Sequence, residues 1–311
     1  GKRTWWHENG QIQSEANYID GQIEGKRTWW HENGQKQSEA NYIRGKLEGN
    51  QTFWHPSLRD GKVKGEKTWL YDSSQKIQSE LNYINDKIEG KRTWWHENGQ
   101  IQSEANYIDS QIEGKRTWWH ENGQIQSEAN YIDGQIEGKR TWWHENGQIQ
   151  SEANYIDGQI EGKRTWWHEN GQIQSEANYK DALKQGNRTW WTKNGQIQRQ
   201  LKYKDDRLMG ETKYLYYHDG QIESKKQYKN KLLNGKSIFW HNNGQKFFEG
   251  SYKDEKPDGK WTFWKKNGQK EEELNYKDGD LLDSTIFKYT YFTNKLKSEK
   301  KYKNGKCIRG C

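Results

Sequence analysis

Aromatic and polar positions alternate in short runs along the chain, and the runs return with a fixed period. The first stretch, Gly1 to Glu24, reads GKRTWWHENGQIQSEANYIDGQIE and recurs unchanged at 114–137 and 138–161. Close copies start at Gly25, Gly90 and Gly162, and diverged copies at Gly49, Gly65, Gly186, Gly210, Gly235 and Gly259. The copy at Gly49 is short and lacks most of its second strand, and a last irregular unit starts near Ser284. Length alone suggests two globular domains, but self-similarity at a fixed period overrides that expectation. Residues 1–311 are therefore read as one continuous array of about 12 to 13 units, with 284–311 as an irregular C-terminal cap.

Each unit predicts two strands. Lys2-Arg3-Thr4-Trp5-Trp6-His7 is rich in aromatic and β-branched residues, and a second run spans Gln11 to Ile19. Asn9-Gly10 between them is a hairpin signal, of type I′ if the loop has two residues, because both central positions then need positive φ. Asp20-Gly21 marks a second turn, followed by a short link to the next unit. The spacing of Gly, Asn and Asp leaves no uninterrupted stretch for a helix. The expected fold is all-β: an elongated single-layer antiparallel β-hairpin array, a meander spanning roughly 120 Å if strands lie about 4.8 Å apart.

Loop length decides which side chains share a face. A two-residue loop sets Trp5 opposite Ser14, His7 opposite Ile12 and Arg3 opposite Ala16. Trp5, Ile12, Ala16 and Tyr18 then form the packed face, and Trp6 joins Thr4, Gln13, Glu15 and Asn17 on a wetter one. A three-residue loop with a bulge would exchange the two tryptophans. Replacements within the chain favour the first arrangement. Phe53, Phe239, Phe263 and Leu215 stand at the Trp5 position, whereas Tyr216 and Leu70 stand at the Trp6 position, and Tyr suits a half-wet site. Trp5, Asn9, Gly10, Tyr18 and Gly21 are accordingly structural. The row Trp6, Trp30, Trp95, Trp119, Trp143, Trp167, Trp191, Trp240 and Trp264 is the candidate binding surface, set against the alternative that it only covers the sheet.

Composition refines this picture. Apolar residues make up only 29% of the chain, yet 14% are aromatic, with 19 Trp and 18 Tyr, so a thin aromatic core is expected rather than disorder. Proline occurs twice, which suits uninterrupted strand pairing. The net charge of +7 is unevenly spread: residues 1–185 hold 23 Lys/Arg against 28 Asp/Glu, and residues 186–311 hold 28 against 16. The basic part leaves an anionic membrane surface as an alternative partner. Nucleic acid is disfavoured because the most regular repeats are acidic.

Catalytic and metal chemistry are not supported. Histidines recur at His7, His31, His55, His96, His120, His144, His168 and His241, but equivalent positions lie two strands apart, about 9.6 Å, too far to share one zinc ion. Ser14 and His7 repeat in an open sheet with no pocket to exclude water, so no enzyme activity and no cofactor is expected. Cys307 and Cys311 either close a small terminal loop or remain thiols. No apolar run approaches membrane-spanning length. The cytoplasm is favoured as location, with the cell surface or secretion as alternatives.

Gly1, Trp5-Trp6, Asn9-Gly10, Glu15, Tyr18 and Asp20-Gly21 together make a pattern that resembles the bacterial variant of the MORN (membrane occupation and recognition nexus) repeat. The resemblance implies a single-layer antiparallel sheet acting as an interaction scaffold. Similar bacterial proteins are labelled YwqK-family antitoxins, which implies an antitoxin-type or immunity partner. Ser110, Ala182 and Asp206 depart from the second Asp-Gly turn and put its local geometry in question. A lesser resemblance is to choline-binding cell-wall repeats, whose aromatics cage a quaternary ammonium; the glycine-tryptophan-tyrosine-tyrosine core of those repeats is missing here. The expected function is thus a non-enzymatic scaffold for another protein. Choline, carbohydrate (glycan) or lipid binding is the alternative.

Overall fold

The computed structural model describes residues 1–55, 76–290, 293 and 295–311 in full, and the backbone of 59–63 and 66–70. Every regular element among them is a β-strand. The chain divides into two compact bodies, Gly1–Glu161 and Gly162–Cys311, and each is an antiparallel meander in which neighbouring strands are hydrogen-bonded. The first runs through Lys2–Trp6, Ile12–Ile19, Gln22–Trp30, Lys36–Ile43 and Lys46–Trp54, then Ile77–Ile84 and onward to Ile149–Ile156. In the second, Ile173–Lys180 and Leu183–Trp191 begin a run that ends in Leu296–Lys303 and Lys306–Arg309.

The strands do not divide where the sequence units do. Gln22–Trp30 starts directly after the Asp20-Gly21 turn and runs through the next unit's Gly25, so the expected link is part of a strand. Gly25, at φ +76°, sits in an irregularity that absorbs two extra residues: Ala16 pairs with Arg27 and Tyr18 with Ile23, a step of two against a step of four. An L-residue would be strained at that φ, which accounts for the glycine that opens the units.

The Asn-Gly loop differs from the expected two-residue turn. His7 N–H bonds to Gln11 O at 2.7 Å, Gly10 N–H bonds to His7 O at 2.9 Å, and of the loop residues only Gly10 has positive φ. Glu8-Asn9-Gly10 is therefore a three-residue loop closed by a glycine bulge, and Trp6, not His7, pairs with Ile12. The tryptophans nevertheless do not exchange faces. A second irregularity makes Gln13 the extra residue, so Trp5 still faces Ser14 and Arg3 still faces Ala16. Ile12 is displaced from the packed set and is 37% exposed.

The type I′ geometry belongs instead to the second turn. Asp20 (φ 50°) and Gly21 (φ 82°) both lie in the left-handed region, and Ile19 pairs with Gln22. The turn persists where glycine is replaced, with φ 70° at Ser110, 61° at Ala182 and 61° at Asp206.

The units counted at Gly49 and Gly65 are one unit. Lys46–Trp54 pairs directly with Ile77–Ile84, with Phe53 opposite Ser79, and Arg59–Val63 and Glu66–Leu70 form a separate two-stranded hairpin between them. Leu70, compared above with Trp6, lies there, outside the residues whose side chains are described. Near the C-terminus, Asp280–Tyr289 pairs with Leu296–Lys303, and Cys307 and Cys311 are joined as a disulfide.

Candidate binding faces

One face of the sheet is built from Arg, Trp, Ser, Ala and Tyr. Ser14 and Ala16 are buried, with Ala16 at 2% exposure, and the Trp5 row lies over them half-buried. The row is threaded by guanidinium groups. Arg116 lies 4.0 Å from the ring centre of Trp118 and 5.6 Å from that of Trp94; Arg140 lies 4.2 Å from Trp142 and 5.6 Å from Trp118. In the second body Arg188 sits between Trp166 and Trp190 in the same way. A cation over an indole face contributes about 0.5–1 kcal/mol at exposed sites and more when desolvated. Tyr18 and Tyr42 meet Trp5 and Trp29 at 6.1 and 6.5 Å in tilted contact, so the expected Trp–Tyr packing holds in the first two units.

The diverged units keep this face filled by compensation. Phe248 stands where Ser is usual, Gly250 where Ala is usual and Trp261 where Arg is usual. The Trp261 indole lies so close over Gly250 that a Cβ there would fall 2.7 Å from the ring. Trp261 also meets Phe248 at 4.8 Å and Tyr252 at 4.9 Å, and it donates Nε1–H to Ser251 O at 2.9 Å.

The opposite face carries Lys, Thr, Glu and the Trp6 row. Lys2 pairs with Glu15, Lys26 with Glu39 and Lys115 with Glu128, and Thr4 Oγ1–H donates to Glu15 at 3.3 Å. Lys36 occupies the Ile12 position and adds a second ammonium beside Glu39. Burial pushes the Glu39 carboxyl up, but the hydrogen bonds from Lys26 and Lys36 outweigh it and hold the group below the ordinary carboxylate range. Glu249 and Glu273, each held by two lysines, behave alike. The Trp6 row is half-buried, as the Trp5 row is, except Trp6 itself at 60% exposure. Lys115, Glu128, Lys139, Thr141, Trp143 and Glu152 line a shallow open depression, and Lys91, Glu104, Asn106, Lys115 and Thr117 line another one unit earlier.

At the loop edge, histidine and asparagine tie several units to the next, although His31 Nε2 is buried without a hydrogen-bond partner. His7 Nε2–H donates to Trp30 O at 2.9 Å and His120 Nε2–H to Trp143 O at 3.0 Å; the carbonyl acceptor fixes the Nε2–H tautomer. Tyr217 replaces the histidine in one diverged unit and its hydroxyl donates to Trp240 O at 2.6 Å. Asn9 accepts from Gln11 N–H at 3.0 Å while its amide donates to Glu32 O at 2.7 Å. At the other edge, Glu113 and Glu137 accept the backbone N–H of Asp133 and Asp157 in the following turn. The histidines that make this bond are thus structural straps. Among the described residues no group of three His, Cys, Asp or Glu side chains is placed to hold a metal ion.

The sequence singled out Trp and His but passed over arginine. Arg3 and Trp5, two apart in a strand, must share a face, and the pair recurs at Arg27-Trp29 and Arg92-Trp94. That signal was available. The inter-unit His and Asn bonds were not readable, because they depend on the three-residue loop.

A family model described as the MORN repeat variant matches ten segments, from 1–20 and 23–44, through 88–109, 112–133, 136–157, 160–181, 184–205 and 212–230, to 233–254 and 257–278. No curated protein sequence matches the chain. Among solved structures, TcdB2-TccC3 without its hypervariable C-terminal region is 10% identical over 95% of this chain and 18% of that one, with a TM-score of 0.26. TcdB2-TccC3 is 12% identical over 98% and 20% of the two chains, with a TM-score of 0.20. The chain thus spans about a fifth of the length of either. A porin-like protein from Bacteroides uniformis is 10% identical over 79% of this chain and 91% of its own, with a TM-score of 0.17.

Proposed function

Because the chain belongs to the MORN repeat variant family, we propose that it is a non-enzymatic scaffold that holds another protein along the face carrying Trp30, Trp95, Trp119 and Trp143. MORN repeats are generally protein- or membrane-binding motifs. The observation that carries the protein reading is the open depression around Trp143 and its counterpart one unit earlier. A shallow, repeated surface suits an extended partner, whereas a small ligand is held in an enclosed cleft. Lys–Glu pairs neutralise this face locally, which favours a mixed polar protein surface over an anionic membrane. An antitoxin or immunity role is the finer form of the same reading, in which the held protein is inactivated by being covered.

The test compares the intact chain with a Trp119→Ala/Trp143→Ala variant in affinity capture, with phosphatidylserine vesicles, choline and oligosaccharides as parallel arms. One protein retained in stoichiometric amount by the intact chain and lost with the variant is the expected result. Retention of vesicles or glycans alone, or equal retention by the variant, overturns the reading.

A further inference from the structure

Charge in the body Gly1–Glu161 is sorted by face. The carboxylates of Glu15, Glu39, Glu104, Glu128 and Glu152 are each paired with lysine on the Trp143 face. The opposite face carries Arg3, Arg27, Arg92, Arg116 and Arg140 in equivalent register, with Gln51 filling the one gap. None of these five guanidinium groups forms an ion pair with a described carboxylate, and the residue paired with each of them across the hairpin is Ala. Arg27, Arg92, Arg116 and Arg140 each have an Nε buried without a hydrogen-bond partner. Stacking on tryptophan orients the planar groups but leaves their charge uncompensated.

The spacing selects the partner. Equivalent arginines are two strands apart, about 9.6 Å. A polyproline II segment repeats every third residue at about 9.3 Å, and those residues line one side of it. We infer that the Arg–Trp face binds an acidic polypeptide segment in polyproline II conformation, lying across the strands, with an Asp or Glu at every third residue. Each carboxylate meets one guanidinium, whose forked donors match its two oxygens. Arg92, Arg116 and Arg140 engage three carboxylates, which a seven-residue segment of about 19 Å spans. This site lies on the face opposite the Trp143 row, so it stands apart from the function proposed above.

The test uses the full chain and fluorescein-labelled proline-rich peptides read by anisotropy at low salt. One peptide carries Glu at every third position; a second has the same composition with Glu at every second position; a third replaces Glu by Gln. The Arg92→Gln/Arg116→Gln/Arg140→Gln variant should weaken the first peptide by at least about tenfold, since charge-assisted hydrogen bonds are the strong ones. Gln51 shows that the fold accepts glutamine at this position. Lys91→Gln/Lys115→Gln/Lys139→Gln on the other face, and the Trp119→Ala/Trp143→Ala variant, should leave that binding unchanged. Equal affinity for the two Glu spacings, or loss in the lysine variant, overturns the proposal. So does an absence of peptide binding while a single-stranded oligonucleotide or phosphatidylserine vesicles bind through the same arginines.

Discussion

Trp118 and Trp119 are adjacent in one strand, both half-buried, and held by different interactions. Trp118 lies between Arg116 and Arg140, at 4.0 and 5.6 Å, over the buried Ser103 and Ser127. A fully buried Trp→Ala costs about 3–5 kcal/mol, so a half-covered indole accounts for about 2 kcal/mol. The two cation–π contacts add about 0.5–1 kcal/mol each, which brings Trp118→Ala to about 3 kcal/mol. Trp119 loses only its partial burial on truncation, because the hydrogen bond from His96 ends on its backbone carbonyl and survives. Trp119→Ala should therefore cost about 2 kcal/mol or less. Urea denaturation followed by far-ultraviolet circular dichroism gives both values. A double-mutant cycle with Arg116→Gln should return a coupling to Trp118 of about 0.5–1 kcal/mol. A loss for Trp119→Ala equal to or above that for Trp118→Ala, or no coupling to Arg116, would refute the assignment of the Arg–Trp face as the packed one.

Three further outcomes follow from local geometry. Gly250→Ala should destabilise by about 1–3 kcal/mol through overpacking against Trp261, and adding Trp261→Arg should recover part of that loss; thermal melts of the single and double variants check it. Ala182→Gly should stabilise by about 1 kcal/mol, because Ala182 sits at φ 61°; an unchanged melting temperature would show that the turn carries no strain. Lys36→Ile restores the residue of the regular unit and should raise the Glu39 pKa toward its ordinary value, as followed by carbon-detected NMR titration. Since the folded-state pKa of Glu39 is depressed, the stabilisation it brings is present above the unfolded value and is lost as pH falls through the folded one, and the variant should lose less stability on acidification.

Much of this architecture is written in local sequence. Thr-Trp-Trp runs, Asn-Gly and Asp-Gly each specify a strand or a turn within a few residues, and their positions survive in the fold. The loop type was not fixed at that level. Asn-Gly serves a type I′ pair and also a three-residue loop ending in a left-handed glycine, and the choice is made by backbone pairing of His7 with Gln11. The pairing of Lys46–Trp54 with Ile77–Ile84 across an intervening hairpin is tertiary, so two glycine-led stretches read as two units where the fold has one. Face was legible through strand alternation, which put Trp5 with Ala16 and Tyr18. The cationic thread went unread because a single arginine per unit looks like ordinary solvated charge until its neighbours are seen to lack any acid.

The central claim is that these units are interchangeable modules coupled only to their neighbours, and excision of 114–137 tests it most directly. Glu113 then joins Gly138, recreating the Glu-Gly junction present at 113–114 and 137–138, and the unit that moves into place is identical. In a nearest-neighbour array the deletion removes one repeat and one interface and leaves every remaining contact of its kind intact. Thermal unfolding monitored by tryptophan fluorescence should shift by no more than about 5 °C, with strand content falling only in proportion to length. Loss of the folded state would contradict the account, because it would mean that distant units close on one another instead of stacking in sequence.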